Sequence, residues 1–282
     1  MSGELVFGNE KQMSRRTVGR SSSKEFTLDE NEIHIWQIDL AGQESEIHFC
    51  RRLLATDEVQ RAERFYFEEH RRRFIVARGT VRQILGRYTR LAPEHIAFEY
   101  GAKGKPELSG RATEASITFN LSHSFESALV AVARGATVGI DIELINPEYA
   151  TEQIAERFFS SGEADTLRTL PAVARVEGFF SCWTRKEAYI KALGEGLSVP
   201  LDSFEVAFGP GVPAALRHVT GDPEEISRWS MYDIEVGEHY KAALVAAGKG
   251  HRFCHRQWVA ETGGFEAQSR QSTAQARSAN HV

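Results

Sequence analysis

At 282 residues, 41% of them hydrophobic and 26% charged, the chain can fill one large core or two small ones. A net charge of −5 argues against a dedicated nucleic-acid binder, whose surface is usually basic overall. No apolar run of about 20 residues is present to span a membrane and no apolar leader follows the first charges, so a cytoplasmic protein is expected.

Residues 1–31 are rich in Ser, Lys, Arg, Gly and Glu without a sustained period, and residues 261–282 are rich in Gln, Ser, Ala and Arg; both read as disordered tails. The alternation of apolar and polar residues over 33–40 predicts a first strand. Arginine then recurs from Arg61 through Arg64, Arg71, Arg72, Arg73, Arg78, Arg82 and Arg87 to Arg90. This basic stretch is either a face that attracts phosphates or an acidic partner, or a solvated helix whose arginines lie over an apolar stripe. Phe74, Ala77, Val81, Ile84, Leu85, Tyr88 and Leu91 predict that helix over 72–91.

Gly104-Lys105-Pro106 marks a turn, followed by strands over 117–121, 128–133 and, after Gly135, 138–144. Helices are predicted over 151–159 and 175–193, then strands over 204–208, 229–236 and 241–246, the last apolar enough to be central. Each half runs through a strand, a helix and returning strands. The fold class is therefore α+β with two similar lobes, 32–135 and 136–260, although no internal sequence repeat is visible. A boundary near Gly135 puts the 138–144 strand at the seam, where ligand sites gather. Cys50, Cys182 and Cys254 are too few and too scattered for a disulfide framework or a four-thiolate zinc site, and read as small buried hydrophobes.

Three motifs carry chemistry. In Gly139-Ile140-Asp141-Ile142-Glu143 two carboxylates alternate with isoleucines, so they leave one side of a strand together. They are either the solvated face of an edge strand or an all-oxygen site for a divalent cation, Mg²⁺ rather than zinc. In the segment 183–197, Glu187 and Lys191 have the spacing of a helical ion pair; alternatively Glu187 joins the metal site or takes a proton, Lys191 offsets phosphate charge and Lys186 holds a second phosphate. Gly194 and Gly196 stop that helix and keep bulk away. In Asn120-Leu121-Ser122-His123-Ser124 no nucleophile elbow is present. Ser122 and His123 read as phosphate donors, with the imidazole protonated beside the anion, or else Ser122 or Ser124 is a helix N-cap. Lys105 is a further candidate anion contact.

In this order and separation the blocks 120–124, 139–143 and 183–197 resemble the signature blocks of the 4'-phosphopantetheinyl transferases. The match is to the larger, surfactin-type branch, in which one chain contains two similar lobes, rather than the short branch that trimerises. Arg64-Phe65-Tyr66, Arg71-Arg72-Arg73-Phe74 and Phe158-Phe159 extend the resemblance, which leaves both tails out. It implies a monomer that moves phosphopantetheine from coenzyme A to a serine of an acyl, peptidyl or aryl carrier domain of fatty acid, polyketide or nonribosomal peptide synthases, releasing adenosine 3',5'-bisphosphate. It further implies that Asp141, Glu143 and Glu187 hold Mg²⁺, that Glu187 is the base for the carrier serine, and that Lys191 neutralises or protonates the departing phosphate. Lys186, His123, Ser122, Lys105, Arg73 and Arg61 are implied to bind the nucleotide's phosphates and adenine side. One departure is visible: Glu58 stands where some relatives place a basic coenzyme contact, which leaves the 3'-phosphate to Arg61 and neighbouring arginines.

Two other classes compete. A Mg²⁺-dependent phosphodiesterase or pyrophosphatase would use the same carboxylates to activate water, without a protein acceptor. A non-enzymatic nucleic-acid or scaffold protein would use the arginine-rich helix and be indifferent to loss of Glu187.

Overall fold

The computed structural model describes residues 26–260; the predicted tails lie outside these residues apart from 26–31. That short piece is packed rather than disordered. The Phe26 ring sits 4.9 Å from Trp36 and 5.4 Å from Tyr88, Leu28 is buried, and the Leu28 carbonyl accepts from Arg134 Nε at 3.0 Å.

The first alternating segment forms β1 (Glu32–Asp39). Two short helices follow, α1 (Glu44–Leu53) and α2 (Thr56–Glu63), and then the long α3 (Glu68–Thr89). The long helix begins four residues before its predicted start, because Glu68 and Glu69 in its first turn suit the positive end of a helix, and it ends where Arg90 turns left-handed at φ 59°. A small hairpin, β2 (Ala97–Tyr100) and β3 (Pro106–Ser109), leads to β4 (Ile117–Ser124) and β5 (Ser127–Arg134). The second half repeats this order: β6 (Val138–Leu144), α4 (Glu152–Phe158), α5 (Ser161–Thr169), the long α6 (Ala172–Leu193), and a hairpin of β7 (Phe204–Ala207) and β8 (Ala215–Val219). After a single-turn α7 (Glu225–Arg228) come β9 (Trp229–Asp233) and β10 (Tyr240–Ala247).

The sheets match as well. Strands are ordered β1-β5-β4 in one half and β6-β10-β9 in the other, antiparallel throughout, with the last strand of each half in the middle. The chain is thus an α+β pseudo-dimer. The final strand, β11 (Arg252–Gln257), breaks the pattern by returning to pair in parallel with β1, from Glu32 opposite Arg252 to Gln37 opposite Gln257. Three apolar clusters fill the layers. Trp36, Ile84 and Val130 pack between α3 and the first sheet; Ile33, Ile35, Ile140 and Leu244 pack between the sheets; Ala188, Tyr189 and Val245 pack between the second sheet and α6.

Equivalent buried ion pairs occupy both halves. Glu58 and Glu163 are each the third residue of their short helix, and each accepts from the backbone N–H three residues earlier, of Ala55 and of Ser160, at 3.0 Å. Arg82 and Lys186 are each the fifteenth residue of their 22-residue helix, and they meet those glutamates at 2.6 Å with about 0–3% of each side chain exposed. Arg78 adds a second contact to Glu58 at 3.0 Å. Two arginines of the basic stretch are therefore interior counter-ions rather than solvated charges.

Candidate active site

The seam between the lobes is built by side chains on an open strand edge. β4 places Asn120, Ser122 and Ser124 on one face by period-two alternation, beside β6. Asn120 Oδ1 accepts from the Ile140 N–H at 2.8 Å and Ser124 Oγ from the Leu144 N–H at 3.0 Å, which satisfies edge donors that no neighbouring strand takes. The same serines hold the acids: Ser122 Oγ donates to Asp141 Oδ1 and Ser124 Oγ to Glu143 Oε2, both at 2.8 Å. Neither serine is a helix N-cap. Nor is the acidic strand a solvated face, since Asp141 is only 2% exposed.

Helix α6 reaches this strand through Gly139. A Cβ there would collide with the Ala188 carbonyl oxygen and the Ala192 nitrogen, so only glycine admits the helix so close. The approach delivers Lys191, whose Nζ lies 2.6 Å from Asp141 Oδ1 and 2.8 Å from Ser122 Oγ. Lys191 thus spans to the strand, and its ion pair is with Asp141 rather than with Glu187 along the helix.

The Asp141 charge raises the proton affinity of the two glutamates near it. Burial and then the Asp141 charge push Glu143 up to about 7, and the same two causes raise Glu187, with Lys191 opposing both. Facing them is a group of cations. Desolvation, followed by the charges of Lys191, Arg61 and Arg73, holds the His123 imidazole below its ordinary range, against the pull of Asp141. Arg73 is 9% exposed and stacks 4.3 Å from the Phe125 ring, and Arg61 lies 5.4 Å from the Phe74 ring. Arg61 also lines a cleft of about 650 Å³ with Arg64, Phe65 and Tyr100.

Asp141, Glu143, Lys191 and Ser122 come together, with His123, Glu187, Arg61 and Arg73 within electrostatic reach. Two predicted phosphate contacts do not join them. Lys186 is fully buried, pairing with Glu163 and donating to the Phe204 carbonyl at 2.5 Å, because its helical position points into the lobe interior. Lys105 Nζ donates to the carbonyls of Lys191 at 2.8 Å, Ala192 at 3.4 Å and Val138 at 3.5 Å, so its hydrogens are spent on main chain. Among the described residues no three acidic, imidazole or thiol side chains already form a metal-holding group, since Lys191 occupies Asp141 Oδ1 and Ser124 engages Glu143. The donor chemistry nonetheless fits a hard divalent cation: all three acids offer oxygen, they repel one another, and the buried Asp141 Oδ2 has no hydrogen-bond partner.

Sequence reasoning missed the roles of Asn120 and Ser124 as holders of the acidic strand. Their signal was the polar period of two in a strand preceding another with acids at the same period. It also missed Glu58 and Glu163 as buried counter-ions, for which the local signal is a glutamate at the third position of a helix.

A buried acidic strand with a lysine bridge, coupled to several cations at the junction of the two lobes, is the kind of site that enzymes of phosphate chemistry use. Residues 137–245 match the 4'-phosphopantetheinyl transferase superfamily, and residues 40–135 match the description "4'-phosphopantetheinyl transferase, N-terminal". The 4'-phosphopantetheinyl transferase HetI of Nostoc sp. is 41% identical over 224 residues, covering 79% of this chain and 91% of that one. The 4'-phosphopantetheinyl transferase Sfp of Bacillus subtilis is 31% identical over 197 residues, covering 69% and 82%. A human relative, L-aminoadipate-semialdehyde dehydrogenase-phosphopantetheinyl transferase, is 26% identical over 208 residues, covering 68% and 67%. The chain belongs to the 4'-phosphopantetheinyl transferase superfamily, in its surfactin-type branch, and is a transferase.

Proposed function

We propose that this enzyme transfers the 4'-phosphopantetheine group of coenzyme A to a serine of an apo carrier domain, with Mg²⁺, releasing adenosine 3',5'-bisphosphate. The observation that carries the reading is the Lys191–Asp141–Ser122 cluster at the lobe seam, with His123, Arg61 and Arg73 electrostatically coupled to it. A diphosphate ester needs both sides: cations for its own charge, and carboxylates for a metal and a base.

Asp141, through Oδ2, with Glu143 and Glu187 would hold Mg²⁺. The ion would supply charge neutralisation on the pyrophosphate. Glu187, whose proton affinity is raised by burial and by the Asp141 charge, takes the proton from the carrier serine. The serine Oγ forms a bond to the phosphorus that bears the pantetheine arm, and the bond from that phosphorus to the bridging oxygen breaks. The leaving phosphate departs with the electron pair, and Lys191 donates a proton to it or balances its charge. His123, Arg61 and Arg73 bind phosphate groups of the nucleotide, and Ser122 orients Asp141 and Lys191 together.

The acceptors are carrier domains of fatty acid, polyketide or nonribosomal peptide synthases, and the enzyme works as a cytoplasmic monomer, since one chain contributes both lobes to the seam. No helix among the described residues is long and apolar enough to cross a membrane. Incubation with coenzyme A, Mg²⁺ and apo carriers of several types, followed by mass spectrometry of the carrier, tests the reading. One phosphopantetheine adduct per carrier is expected, and no adduct on any type would overturn it.

A further inference from the structure

The Lys105 ammonium is the point at which one lobe grips the other. Lys105 ends the tip of the β2–β3 hairpin, a turn closed by Gly101 N–H to the Lys105 carbonyl at 3.0 Å and by Gly104 at φ 81°. From there its Nζ crosses the seam to the carbonyls of Lys191 and Ala192, which lie in the last turn of α6 and lack partners within the helix. A cation at that end also opposes the negative pole of the helix. Its third acceptor, the Val138 carbonyl, belongs to the first residue of β6.

The rest of the hairpin tip fits the same surface. Gly194 closes α6 at φ 77°, its N–H donating to the Ile190 carbonyl at 3.0 Å, and a Cβ on it would touch Lys105 Cδ at 3.6 Å. A Cβ on Gly196 would meet Lys103 Cβ at 3.4 Å. One ammonium therefore ties together the strand that carries Asp141, the helix that carries Lys191, and the opposite lobe. Its shortest main-chain contact on α6, at 2.8 Å, is the carbonyl of Lys191 itself.

We propose that Lys105 is a positioning residue for phosphopantetheine transfer: it fixes the backbone of Lys191 against that of β6, and so sets the Lys191–Asp141 contact, without touching the nucleotide. The role rests on the transfer reading above. An anion contact at the same residue makes a different kinetic prediction. Loss of a phosphate contact raises KM and removes selectivity for that phosphate, whereas loss of a positioning clamp lowers kcat and leaves selectivity alone.

The test uses the full chain with Lys105→Met and Lys105→Arg, assayed with coenzyme A and with 3'-dephospho-coenzyme A on an apo carrier. Amide hydrogen exchange across residues 193–196 is followed in parallel. For Lys105→Met, kcat is expected to fall by about 10- to 100-fold, with KM and the preference for coenzyme A over its dephospho form as in the wild type. Exchange over 193–196 is expected to accelerate. Lys105→Arg, which keeps a cation with several donors, is expected to restore much of both. A raised KM with lost preference for the 3'-phosphate would overturn the proposal, as would unchanged kcat and unchanged exchange. Absence of transfer by the wild type would instead overturn the transfer reading and with it this catalytic role. The exchange measurement would then report separately whether the clamp exists.

Discussion

The two lobes share a frame and divide the chemistry. In each, a long helix lies on a strand whose isoleucines, Ile33 and Ile35 or Ile140 and Ile142, face the inter-sheet core. That phase puts His34 and Trp36 at the positions that Asp141 and Glu143 hold in the second lobe. Along the helices, Gln83 and Arg87 stand where Glu187 and Lys191 do. Every acid of the second lobe's set is absent from the first. His34 is instead closed off, its Nδ1 2.5 Å from the Tyr88 hydroxyl and its proton affinity lowered to about 4 by burial and Arg256. The structural ion pairs, by contrast, survive in both halves. Duplication has kept what holds a lobe together and allowed only one copy to retain the reactive groups.

The largest effect expected from probing this asymmetry is on activity. Asp141→Ala should lower transfer by about 10³-fold or more, because the buried carboxylate holds Lys191 and, in the proposed reaction, would hold the cation. His34→Ala, at the matching position, should lower stability while leaving the rate of the folded fraction unchanged. Carrier mass spectrometry alongside thermal melts separates the two, and comparable activity losses would break the comparison.

Next in size are the paired interior charges. Lys186→Met and Arg82→Met should each cost about 3–5 kcal/mol in denaturant unfolding, since each strips a buried glutamate of its counter-ion. The Arg82 variant should be the milder one, because Arg78 still reaches Glu58. Equal costs would mean that the second arginine contributes nothing.

A smaller effect lies in pH and metal dependence. A carboxylate whose affinity for protons is higher folded than unfolded stabilises the fold at low pH and loses that contribution as pH rises. Glu143, raised to about 7 from an ordinary value near 4.5, makes metal-free protein lose stability between about pH 4.5 and 7, with Glu187 adding in the same direction. Mg²⁺ should therefore raise Tm more at pH 7.5 than at pH 5, and Glu143→Gln should flatten both trends. A Tm gain independent of pH would remove these acids from the ion's surroundings. The smallest effect is expected from Ser124→Ala, about 1 kcal/mol, from the loss of its bonds to Glu143 and to the Leu144 N–H.

Much of this organisation was legible because period and composition are local. The strand at 138–144, the central apolar strand near 241–246 and both long helices follow from alternation or three-to-four spacing. Asp141, Glu143 and Lys191 follow from motifs. The duplication left no trace in residue identity, since topology is kept by apolar phase rather than by particular side chains. The short helices α1, α2 and α5 were missed because their apolar stripes are brief and interrupted by charge. β11 was missed because two arginines and a histidine in six residues hide a strand that β1 recruits. Lys186 and Lys105 were misassigned for a common reason: a lysine's role is set by its acceptor, and Glu163 and the α6 carbonyls are remote in sequence.

The parallel return of β11 onto β1 has a consequence for biosynthesis. The first lobe emerges from the ribosome with one flank of its sheet uncovered, and the segment that seals it is translated after the whole second lobe. Nascent chains halted before Arg252 would expose that flank as a template for cross-chain association. Completion of the first lobe is thereby coupled to completion of the second.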